Sequence, residues 1–231
     1  MGIPLIIAHR GAAAEAPENT LAAFRRAVAL KADVIELDVH LTRDGVPVVF
    51  HDDRLRRLTG TRGYLCGKTW EELKPLRILE SNEGIPRLSD ALAFTRHRIV
   101  VQAELKRGTA VAPVIAAIKK ARAANGVILA SFEPEILTEA ARLAPAIPRM
   151  LIAEGRRSLV SIVRQLEACD AHGLSISYRG IHSPEDVAFF QRKGFCVWCW
   201  TVNDTRTARR IIKCGIDGLV GDNPALLKRL I

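Results

Sequence analysis

The sequence predicts an α/β fold: a single-domain (β/α)8 TIM barrel over residues 1–231, with a short capping insertion after the second strand at about 53–86. Three observations predict it. Eight short apolar runs alternate with longer segments of helical periodicity, N-capping residues and glycines punctuate the boundaries, and the runs are apolar enough to be covered on both faces. Such units favour a closed barrel, with an open doubly wound sheet as the alternative, since strand order is not written in a sequence. At 48% hydrophobic and 26% charged, the composition excludes a disordered or collagen-like chain.

The apolar runs place strands at 5–10, 34–41, 99–106, 127–132, 149–154, 174–178, 196–202 and 217–222. Helical patterns fill 20–30, 88–97, 110–124, 134–144, 158–169, 184–194, 204–215 and 224–231. Ser183, Ser158, Ser89 and either Asn203 or Asp204 are candidate N-caps, and Pro184 is a first-turn proline. Gly126, Gly173, Gly194 and Gly215 follow helices, where a left-handed residue ends them cheaply. Asp44-Gly45 signals a hairpin that returns as an extra strand over 47–52. From 53 to 86 the chain is irregular, which within a compact domain marks a functional segment or a small subdomain.

The 34 Lys and Arg against 25 Asp and Glu give a net charge of +9, which raises the possibility of a basic nucleic-acid-binding module. The basic runs at 25–26, 54–57, 119–120, 156–157 and 209–210 are scattered over helices and loops, so a solvated outer face accounts for them and no nucleic-acid partner is expected. Five scattered cysteines do not make a disulfide framework. Cys196 and Cys199, three apart on a strand, face opposite ways and make neither a redox pair nor a zinc site. The run 3–8 is too short for a signal peptide or a membrane span, and Gly2 lacks the Ser or Thr that a myristoylation signal wants, so a cytoplasmic protein without membrane insertion is expected.

In such a barrel, chemistry collects at the C-terminal ends of the strands. The first strand ends in His9-Arg10-Gly11, the second carries Glu36 and Asp38, the hairpin strand ends at His51-Asp52, and the third barrel strand ends in Glu104-Leu105-Lys106. Glu36 and Asp38 are two apart and share a face, as do Glu104 and Lys106. Three carboxylates gathered in a barrel mouth repel one another unless protonated or bound to a cation. Oxygen-only ligands select a hard ion, so one Mg²⁺ or Ca²⁺ is expected, with Mn²⁺ possible. His9 and His51 are candidate acid and base, and Arg10 and Lys106 add fixed positive charge suited to a phosphoryl group. His40, His97, His172 and His182 fall in helix or loop contexts, or on the opposite strand face.

These residues resemble the glycerophosphodiester phosphodiesterase family. The resemblance lies in HRG at 9–11, PENT at 17–20, ELDVHLTRDGVPVVFHDD at 36–53, IPRLSDAL at 85–92, ELK at 104–106 and WTVN at 200–203. It implies Glu36, Asp38 and Glu104 as divalent-metal ligands, His9 and His51 as the acid and base, and Arg10 and Lys106 on the phosphate. It implies Trp200 as an apolar wall for glycerol, with Phe132 beside it, and Asn19 as a tie in the first loop. The implied reaction is metal-assisted hydrolysis of a small-molecule glycerophosphodiester to sn-glycerol 3-phosphate and an alcohol, in lipid and glycerol metabolism. A phospholipase-D-type lipid phosphodiesterase is the rival within the same superfamily. Two departures stand out: Gly221 precedes Asp222 where threonine is frequent, and His40 stands where glutamine is frequent. Neither is expected to touch the ligands.

Overall fold

Each apolar run becomes a strand, most of them one or two residues shorter than the run. In a computed structural model, which describes residues 2–78, 80–155 and 158–231, the strands are β1 (Leu5–Ala8), β2 (Val34–Leu41), β3 (Pro47–Val49), β4 (Val100–Leu105), β5 (Val127–Ser131), β6 (Arg149–Ala153), β7 (Gly173–Ser177), β8 (Cys196–Trp200) and β9 (Gly218–Gly221). The basic pair 156–157 lies outside the described residues. Eight strands run parallel in the order β1-β9-β8-β7-β6-β5-β4-β2, and β1 pairs with β2 to close the ring. The closed barrel, rather than the open sheet, is therefore the architecture. The hairpin strand β3 pairs antiparallel with β2 outside the ring, after a turn in which Gly45 has φ +78°.

Period-2 alternation sorts the side chains. Ile7, Val34, Met150, Ile152, Trp198 and Val220 pack together as one cluster, while the alternate residues Leu37, Val39, Ala103 and Leu105, with Leu174, Ile176, Val197 and Cys199, pack under the helices. Cys196 is exposed and Cys199 buried, both as free thiols. Val34↔Val100 and Asp38↔Glu104 fix the register of β2 against β4, so the carboxylates of the two strands lie side by side. Leu55, Leu65, Leu73, Ile78 and Ile85 of the insertion form an apolar cluster with Val48 and Phe50 of the hairpin, and short helices run over Arg56–Thr59 and Trp70–Leu73.

Some boundary expectations need correction. Ser89 is not an N-cap: the helix starts at Leu88 after Arg87, whose backbone N–H and guanidinium both donate to Asp90. Asp204, not Asn203, caps the helix Thr205–Lys213, which leaves Asn203 for the site below. Gly194 and Gly215 are left-handed as expected, whereas Gly126 and Gly173 are not; Arg122 and Asp170 take φ of 51° and 50° instead. Gly173 is needed for space, since a Cβ there would lie 2.8 Å from the Cys196 carbonyl oxygen. Among the described residues, no helix is long and apolar enough to cross a membrane.

Candidate active site

The strand ends converge. One oxygen each from Glu36, Asp38 and Glu104 can be chosen so that all three lie within 4.8 Å of one another, and the three residues are 5%, 1% and 9% exposed. Burial and the charge of Asp38 push the Glu36 carboxyl up to about 8 and also raise that of Glu104. Burial opposes the charge on Asp38 too, but Lys106, His51 and Arg10 outweigh it and hold it down at about 2. Asn19 secures this loop by donating from Nδ2 to Asp38 Oδ2 at 2.7 Å and accepting from Asp38 N. Glu36 Oε2 accepts from the Arg10 backbone N–H at 2.8 Å.

Two buried side-chain polar atoms lack hydrogen-bond partners among the described residues: Glu36 Oε1, an acceptor, and Arg10 Nε, a donor. Arg10 Nε stands 3.4 Å from Asp38 Oδ2, an ion-pair distance without hydrogen-bond alignment. An orphan acceptor within an all-oxygen donor set fits a hard cation, and an orphan guanidinium N–H fits an anionic oxygen.

Each histidine is tethered through Nδ1. His9 Nδ1 lies 2.6 Å from Asp222 Oδ1, and Asp222 is gripped by Asn203 through both its Oδ2 and its backbone N–H. Burial lowers the pKa of His9, but Asp222 and Glu36 reverse the balance and raise it above the ordinary value. His51 Nδ1 lies 2.7 Å from Asp52 Oδ1, yet burial wins there and lowers its pKa. His40, read as bland, supports this segment by pairing through Nε2 with the His51 carbonyl at 3.1 Å.

Lys106 Nζ forms an ion pair with Asp38 Oδ1 at 2.6 Å and donates to Glu104 Oε1, and its pKa stays raised against the opposing effect of burial. Trp200 Nε1 donates to the Ser175 carbonyl at 3.0 Å, and the ring meets Phe132 edge-on with centroids 5.7 Å apart. Of the nine residues expected at the site, all but Asp38 line one cavity of about 130 Å³.

Residues 9–226 match the model of the glycerophosphoryl diester phosphodiesterase family. The chain belongs to this family. It is accordingly an enzyme, a phosphoric diester hydrolase. It is 35% identical over 239 residues to the glycerophosphodiester phosphodiesterase of Caldanaerobacter subterraneus subsp. tengcongensis, covering 98% of this chain and 97% of that one. Among solved structures, it is similar to an Oleispira antarctica phosphodiesterase in complex with the product sn-glycerol-3-phosphate, with a TM-score of 0.90, 29% identity and coverage of 99% and 96%. It is also similar to the Thermotoga maritima glycerophosphodiester phosphodiesterase, with a TM-score of 0.87, 28% identity and full coverage of both chains at 100%.

Within this phosphodiesterase, sequence reasoning missed the carboxylates behind the histidines. Asp222 directly follows β9, so the strand-end rule that selected His9 and His51 also pointed to it. Gly221, one of the two departures, matters for the same reason: a Cβ there would lie 2.4 Å from the Val202 carbonyl oxygen, in the turn that delivers Asp222. Asp52 and Glu18 lay within the motifs but had no assigned role.

Proposed function

We propose that this family member hydrolyses glycerophosphodiesters to sn-glycerol 3-phosphate and an alcohol, in the cytoplasm, as part of lipid and glycerol metabolism. One divalent cation, Mg²⁺ or Ca²⁺ with Mn²⁺ as an alternative, would be held by Glu36, Asp38 and Glu104. The observation that carries this reading is a cluster of three buried carboxylates, two of which line one small cavity together with two carboxylate-tethered histidines and the arginine that bears the unsatisfied donor. The bound cation would supply Lewis-acid withdrawal of charge from the phosphoryl oxygens.

The chain's own residues do the rest. Arg10 and Lys106 hold the phosphate, and the Trp200–Phe132 edge offers an apolar wall to the glycerol carbons. With Nδ1 of each histidine tied to a carboxylate, Nε2 remains for proton exchange. His9, whose pKa is raised, suits the acid that protonates the departing alkoxide; His51, whose pKa is lowered, suits the base that takes the nucleophile's proton. The segment 53–86 serves as a small cap beside the mouth. Turnover of glycerophosphocholine and glycerophosphoethanolamine, measured with EDTA and after re-addition of Mg²⁺, Ca²⁺ or Mn²⁺, tests the proposal: activity restored by a divalent ion supports it, and no turnover under any metal refutes it.

A further inference from the structure

On one side of the cavity, the carboxylates that hold the proposed base and the proposed phosphate-binding arginine share a single partner. Arg57 comes from the helix Arg56–Thr59 of the insertion. Its Nε and Nη2 donate to Asp52 Oδ2 and Oδ1 at 2.6 and 2.8 Å, while Nη1 and Nη2 donate to Glu18 Oε2 and Oε1 at 2.9 and 2.7 Å. Asp52 Oδ1 pairs with His51 Nδ1 at 2.7 Å, and Glu18 Oε1 accepts from Arg10 Nη1 at 2.9 Å. An unbroken chain of charge-assisted contacts therefore runs His51–Asp52–Arg57–Glu18–Arg10.

We propose that Arg57 is a positioning residue, fixing the separation of the His51 ring and the Arg10 fork and so coupling the insertion to catalysis. The proposal rests on the function proposed above. Only a planar guanidinium can face two carboxylates with two N–H bonds each; a lysine ammonium at the same place is a point charge without that fork. The Arg57 side chain is 47% exposed, so solvent screens these pairs and they add little to fold stability. Their consequence is geometric, because small misplacements of reacting groups cost far more in rate than in stability. His9 is held independently by Asp222 and Asn203.

The test measures kcat and KM for glycerophosphocholine, together with thermal melting, in R57A, R57K, D52N, E18Q and the doubles R57A/D52N and R57A/E18Q. R57A is expected to lower kcat by tens of fold up to about 100-fold and to raise KM several-fold, with melting within about 3 °C of wild type. Added guanidinium should restore part of the lost kcat in R57A, and R57K should stay impaired. In the D52N background the R57A effect on kcat should shrink to about twofold, and in the E18Q background its effect on KM should do the same. Wild-type kcat and KM in R57A overturn the proposal. So do losses that multiply fully with both partner variants and track a fall in melting temperature. If R57A does not fold, a folded R57K with wild-type constants overturns it equally. A wild-type protein inactive under every divalent ion refutes instead the function on which the proposal rests, before any variant is compared.

Discussion

Replacing Asp222 with asparagine isolates the effect of one charge on His9. The amide keeps the size of the carboxylate, so the change is chiefly electrostatic: the anionic oxygen 2.6 Å from His9 Nδ1 becomes neutral. Burial already works against a charged His9, with Asp222 and Glu36 opposing it. A hydrogen bond to a charged group is worth about 1.5–3 kcal/mol. The Asp222 side chain is 35% exposed, so screening leaves about 1.4 kcal/mol of it, and its loss lowers the pKa of His9. With His9 as the acid, the limb of kcat/KM that descends as pH rises should move to lower pH. The asparagine also no longer dictates which ring nitrogen carries the proton. Buried carboxylates in that role are worth about 10⁴ in kcat, and for this screened one a loss of roughly 100-fold is expected. The assay follows sn-glycerol 3-phosphate release from glycerophosphocholine between about pH 5 and 9 with saturating divalent ion. An unmoved limb with kcat within about twofold of wild type, or a limb moved to higher pH, would refute the reasoning.

At neutral pH, the Glu36 carboxyl, pushed up to about 8, carries a proton that a cation must displace. Calorimetric titration with Mg²⁺ in two buffers of different ionisation enthalpy should report proton release, and less of it in E36Q, where only Glu104 is left with a raised pKa; equal counts in both proteins refute this. The same group makes the metal-free protein pH-sensitive. Its folded pKa lies above the unfolded value of 4.5, so stability falls as pH rises from that value to about 8. His9, also raised, gives stability that is present below 6.5 and lost as pH rises through its folded pKa. His51, whose pKa is lowered, works the other way up to 6.5, so melting of the EDTA-treated protein should decline from about pH 6.5 to 8, and Mg²⁺ should flatten the curve; a metal-free curve that rises over this window contradicts it. Gly221→Ala should lose about 2 kcal/mol in urea denaturation and at least tenfold in kcat, because its Cβ would collide with the Val202 carbonyl in the Asp222 turn; wild-type activity would count against that placement. Phe24→Ala, at a fully buried ring, should cost about 3–5 kcal/mol in the same denaturation assay, and a cost below about 1 kcal/mol would place Phe24 outside the packed core.

The strands were legible because an apolar run must be covered on both faces, and the metal-ligand candidates because two-residue spacing puts Glu36 and Asp38 on one side without any knowledge of topology. The helix starts were only partly legible. Ser89 has the chemistry of a cap, but Asp90 bonded to Arg87 fixes the helix start two residues earlier than that cap requires. Arg122 carries a left-handed backbone that its own propensity does not favour, whereas Asp170, a residue type that tolerates this conformation, was passed over for the glycine further along the chain. The partners of the site residues were least legible. Whether Arg57 pairs with Asp52 or with any other acid is a question of three-dimensional distance, and five residues of sequence separation do not answer it.

Ring closure joins parts of the site that are far apart in the chain. His9 follows the first strand and Asp222 the last, 213 positions apart, and they meet only across the seam where β1 joins β9. The tether of His9 therefore exists only when the first and last strands are paired, and a chain truncated before β9 would lack the carboxylate behind one of the two proposed catalytic histidines.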